Sequence, residues 1–140
     1  MTNKDRARAF IKDAAIILDE ASLSLQHAHY HRVMRKCQEA VELAVKGLFK
    51  SFGIEYPKSH ILGRVIRKEL AKFALFDREV LDRIAYISDS LAFDREPAFY
   101  GSIEGIPAAE LYDQADAAEA IENTKWIIAT IEKVISEEGN

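Results

Sequence analysis

The 140-residue chain is short of the residues that break or staple a fold. It contains a single cysteine, three prolines and six glycines. One cysteine, Cys37, cannot form an internal disulfide, so the fold must stand on its core alone. Prolines and glycines gather in a few places, which leaves long stretches free to be helical. Long hydrophobic runs are also missing: none approaches the roughly 18 apolar residues that span a bilayer. The start of the chain, Met1 to Arg6, is polar and leads into an amphipathic segment, unlike the apolar stretch of a secretion signal. These features predict a cytoplasmic protein that does not enter a membrane.

What is present suits one packed domain over residues 1–140. Hydrophobic residues make up 49% and charged residues 30%, enough apolar material to bury a core. The net charge of −4 conceals a split. Lys46 to Lys72 holds seven basic and two acidic residues, whereas the chain from Glu104 onward holds nine acidic residues and two lysines. Either the basic stretch serves an anionic ligand, or the two surfaces complement each other.

Apolar residues recur at three- and four-residue steps, and no strand-like alternation appears. A first helix is expected from about Asn3 to Ser24, opened by Thr2 and Asp5 in a capping-box pattern. A second runs from Tyr30 with the stripe Val33, Met34, Cys37, Ala40, Val41, Ala44, Leu48 and Phe52, then stops at Gly53 and Pro57. Ser59 is expected to cap a third helix and Asp77 a fourth. From Phe93 to Leu111 the period fails around Pro97, Gly101, Gly105 and Pro107, which predicts a long loop. Asp113 and Asp116 then open a last helix to about Ser136. The expected fold is all-α: an up-and-down bundle of four long helices plus a shorter fifth, with a long loop before the last helix.

Few residues carry chemistry. Cys37 lies on an apolar stripe, where a thiol is inert packing. His27, His29 and His31 bring no third ligand with them, so no metal site and no cofactor is expected. Lys58 and His60 precede a helix with Arg64, Arg67 and Lys68; His60, Arg64, Arg67 and Lys68 fall at helical spacing and form one basic face suited to an anion. Arg32, Arg35 and Lys36 are expected to be partly neutralised by Glu39 and Glu42. In the loop, Arg95 offers a fork for phosphate oxygens, and Tyr100 adds a hydroxyl and a stacking face.

Four segments, in order and over nearly the whole chain, resemble the HEPN family, in its small stand-alone prokaryotic form. They are Tyr30–Phe49 (YHRVMRKCQEAVELAVKGLF), Gly53–His60 (GIEYPKSH), Arg95–Gly101 (REPAFYG) and Ala117–Ile121 (AAEAI). The resemblance implies a helical bundle that forms a homodimer with a cleft at its interface. It also implies either metal-independent ribonuclease activity or partnership with a small nucleotidyltransferase in toxin–antitoxin pairs. Active relatives carry an arginine, roughly four to six residues, then a histidine after the fourth helix, and some add a tyrosine two residues further on.

Arg95 matches the arginine, but Tyr100 stands at the histidine position and Ser102 two beyond it, and no histidine follows His60. An unperturbed tyrosine, with a pKa near 10, is ionised in roughly one molecule per thousand at neutral pH, so it is a poor base for the 2′-hydroxyl of RNA. The expectation is therefore a non-catalytic module that binds nucleotide, RNA or a partner nucleotidyltransferase around Arg95 and Tyr100, with Ser102, Lys58, His60 and Arg64 beside them. A ribonuclease with an altered Arg-x4-Tyr site, in which Tyr100 or His60 moves the proton, and a purely structural oligomerisation protein are the alternatives.

Overall fold

The structure is a computed structural model, and it describes residues 1–138. It is all-α, as the periodicity requires. Four long helices carry it: α1 (Asn3–Gln26), α2 (Tyr30–Ser51), α4 (Arg78–Phe93) and α7 (Gln114–Glu138). Three shorter ones join them: α3 (Gly63–Leu70), α5 (Pro97–Tyr100) and α6 (Ala108–Leu111).

Helix ends follow local chemistry. At the start of α1 the Asp5 amide donates to Thr2 Oγ1 (3.1 Å) and the Thr2 amide donates back to Asp5 (3.0 Å). Asp113 and Asp116 exchange the same pair of bonds at the start of α7, at 3.1 and 2.9 Å. Helix α2 ends at Ser51, and Gly53 just beyond it has a φ of +66°, the left-handed geometry that favours glycine, while the Ile54 amide reaches back to the Phe49 carbonyl.

The α2 helix is the central element. It packs on α1 and α7 and meets α4, α5 and α6 along its other side. Val33, Cys37, Val41, Ala44, Leu48 and Phe49 from α2 are fully buried with Ala7, Ala14, Ile84, Ile127 and Ile131 from its neighbours. Such continuous apolar packing is the main stabilising term of a bundle.

Three expectations about local structure need correction. Asp77 stands at the N-cap of α4, but its side chain makes no capping hydrogen bond. Ser59 does not cap α3. Its hydroxyl accepts from the Ile61 amide (3.1 Å) in a tight turn, and the helix begins four residues later at Gly63, whose amide donates to Asp89 Oδ1 on α4 (2.8 Å). The stretch between Phe93 and Leu111 is not a bare loop either. It holds the one-turn helices α5 and α6, tied together where the Ser102 amide donates to the Ile106 carbonyl (2.9 Å) and the Ile106 amide donates to Ser102 Oγ (3.0 Å). Gly101 makes this closure possible: its φ is +86°, and a Cβ there would collide with the Ile106 carbonyl oxygen.

Candidate functional site

The α2 helix carries a polar row, Arg35, Gln38, Glu42 and Lys46, on the side that meets the rest of the chain's connections. Arg35 Nη1 donates to the carbonyl oxygen of Arg95 at 2.6 Å, and its guanidinium lies 5.0 Å from the centre of the Phe99 ring. Its Nε also stands 3.7 Å from Glu39. One α2 arginine thus holds the corner where α4 turns into α5. Deeper along the row, Glu42 is a hub. Gln38 Nε2 and Lys46 Nζ donate to its two oxygens at 2.8 and 3.0 Å, and His60 Nδ1 lies 2.6 Å from Oε1. Burial works against the Glu42 charge, but the bonds from His60, Lys46 and Gln38 outweigh it and hold the carboxyl below the usual glutamate range. Glu42 therefore serves His60 and Lys46 rather than neutralising Arg32, Arg35 or Lys36. Lys36 instead pairs with Glu20 at 3.5 Å.

Because His60 is bound to α2 and lies ahead of α3, it does not share a helical face with Arg64, Arg67 and Lys68. Arg67 is also partly spent on Asp82, at 3.2 Å. The expected single basic face is thereby divided.

His60 faces another set of residues. A surface cavity of about 430 Å³ is lined by Lys58–Ile61, before α3, and by Ala92, Phe93, Arg95, Glu96 and Pro97, at the end of α4. Three of the residues singled out from the sequence, Lys58, His60 and Arg95, meet here. The Arg95 Nε is buried and has no hydrogen-bond partner, and among the described residues no carboxylate pairs with its guanidinium. A buried Nε–H without an acceptor carries a desolvation cost.

Other candidates lie outside the cavity lining. Tyr100 is 78% exposed on α5 and packs edge-on against Phe99, with ring centres 4.7 Å apart. Ser102 is engaged in closing the α5–α6 turn. Arg64 is exposed on α3. Phe93, the last residue of α4, also lines the cavity and is 70% exposed, although an apolar residue at that position reads from sequence as packing.

Among the described residues, no ion pair joins the basic stretch 46–72 to the acidic chain from 104 onward. The acidic end lies along a different groove, where Asp94, Asp116 and Glu119 stand with Tyr86 between α4 and α7. Burial raises the Asp94 pKa, with Asp116 adding to it, against the bond that Tyr112 Oη donates to Asp94 at 3.0 Å.

A comparison with protein-family models identifies the HEPN domain over residues 7–134. The chain belongs to the HEPN family. Among solved structures this HEPN protein is similar to TT1696 from Thermus thermophilus, at 26% identity and a TM-score of 0.75, covering 92% of this chain and 98% of that one. A search of the curated proteins finds no match. The family assignment and the four-segment resemblance agree, and the described residues contain no helix long and apolar enough to cross a membrane.

Proposed function

We propose that this HEPN module is a non-catalytic binding protein whose cavity at the end of α4 holds the phosphate of a nucleotide or RNA. The observation that carries the reading is Arg95, whose buried Nε has no hydrogen-bond partner among the described residues and which lines one cavity with Lys58 and His60. An arginine fork suits phosphate oxygens, and Lys58 adds a mobile charge at the rim. The split charge is consistent with the same reading, since among the described residues no ion pair joins the basic stretch to the acidic end. A homodimer completes the proposal. Phe99, Tyr100 and Ile103 form an exposed apolar face on and after α5, and pairing two copies there would bring Tyr100 towards a shared cleft.

A second reading has its own support. His60 is held through Nδ1 by the Glu42 carboxylate, which leaves Nε2 as the nitrogen free to take a proton. With Arg95 on the scissile phosphate, His60 would accept the 2′-hydroxyl proton as O2′ bonds to phosphorus. The bond to O5′ would break, and the leaving oxygen would be protonated by water. In that case the missing histidine of the family motif would be replaced by one from another segment.

RNA incubated with the protein in EDTA separates the two. Intact RNA together with measurable RNA binding that Arg95→Ala weakens supports the binding reading. Cleavage that disappears in His60→Gln overturns it in favour of the second.

A further inference from the structure

We infer that Phe93 is a base-stacking residue, so that the cavity selects single-stranded nucleic acid carrying unpaired bases. The inference rests on the phosphate-binding reading of the Arg95 cavity and deepens it. A lone exposed aromatic is ordinary on a protein surface. Phe93 differs in its company. It is 70% exposed and lines the same cavity as Lys58, His60 and Arg95, with Glu96 the one acidic side chain among them. Cations that follow a phosphate chain beside an exposed aromatic ring are the pairing by which proteins hold single strands. Phe93 stands two residues before Arg95 in the chain, so a phosphate at the guanidinium and a base on the ring are held from one helix end.

A comparison within α4 sharpens the assignment. Tyr86, one heptad earlier and also 70% exposed, lines the groove that contains Asp94, Asp116 and Glu119. A polyanion is repelled there. Of the two exposed aromatics on α4, only Phe93 lines a cavity with more basic than acidic side chains, and this favours a strand over a second copy of the chain as its occupant. A base-paired duplex hides its ring faces, so stacking on Phe93 demands an unpaired base.

The test compares a fluorescent single-stranded oligoribonucleotide of about ten nucleotides with an abasic strand of equal length and charge, by anisotropy at low and physiological salt. Wild type is expected to bind the base-bearing strand about tenfold or more tightly than the abasic one. Phe93→Leu is expected to lose that preference while keeping its affinity for the abasic strand, and Phe93→Tyr to retain it. Sedimentation of each variant runs in parallel. An unchanged base preference in Phe93→Leu overturns the inference, and a changed oligomeric state alone would reassign Phe93 to contact between copies. Failure of the underlying phosphate reading looks different: neither strand then depends on Arg95.

Discussion

Glu42 and His60, 18 residues apart in the chain, meet with 2.6 Å between Oε1 and Nδ1. This contact fastens the segment before α3 onto α2 and sets one side of the Arg95 cavity. Glu42→Gln keeps the shape and removes the charge that gathers His60, Lys46 and Gln38. We expect a loss of about 1 kcal/mol, at the screened end for charge-assisted bonds because His60 is half exposed. Hydrogen exchange should rise most in residues 54–62. Denaturant melts and exchange by mass spectrometry measure both.

The same carboxylate makes stability depend on pH. Burial alone would raise its pKa, but the bonds from His60, Lys46 and Gln38 lower it below the unfolded value. Ionised Glu42 therefore contributes stability above the ordinary glutamate range, and the contribution fades as pH falls through the lowered folded value. Asp94 has the opposite sign. Its folded pKa is raised by burial and by Asp116, so its charge costs stability at neutral pH and less once it is protonated. Melts from neutral to acid pH should show wild type losing more stability than Glu42→Gln, and Asp94→Asn at least as stable as wild type at neutral pH.

The bundle was legible in the sequence because its signals are local. Thr2 with Asp5 and Asp113 with Asp116 sit three residues apart, Gly53 needs only its own backbone geometry, and the apolar stripes repeat within each helix. What was missed depends on distant partners. Nothing near Ser59 says that the Gly63 amide will be taken by Asp89, 26 residues on, so local signals alone set the start of α3 too early. The helices α5 and α6 have four residues each and no side-chain caps, too little for a periodic signal. For the candidate site, residue type alone marks Arg95, Lys58 and His60 as candidates, along with Tyr100, Ser102 and Arg64, which lie outside the cavity lining. That they share a cavity depends on how α4 lies beside the turn before α3. Phe93 reads as apolar packing until its exposure is known.

Gly101 is expected to tolerate no side chain. Gly101→Ala places a Cβ against the Ile106 carbonyl and forces a residue into a backbone region open mainly to glycine. The cost should be about 1–3 kcal/mol. Thermal melts give the total, and amide exchange should place the loosening between α5 and α6 rather than in α2.

Cys37 should be chemically silent in the folded protein. Burial pushes its thiol up to about 11, against a small opposing effect of a hydrogen bond with Thr124. A thiol reagent at mildly alkaline pH is expected to leave native protein unmodified and to label it fully in denaturant. Rapid labelling of the native protein would mean that the α2–α7 contact opens readily.

The most direct test of the Arg95 cavity is RNA affinity as a function of salt for wild type and Arg95→Ala, with folding verified by equal melting temperatures. If Arg95 holds a phosphate, wild-type affinity falls steeply with salt. Arg95→Ala then binds more weakly at every salt concentration, with a log–log slope shallower by about 1. Equal affinities and equal slopes for the two proteins would contradict a phosphate site at Arg95.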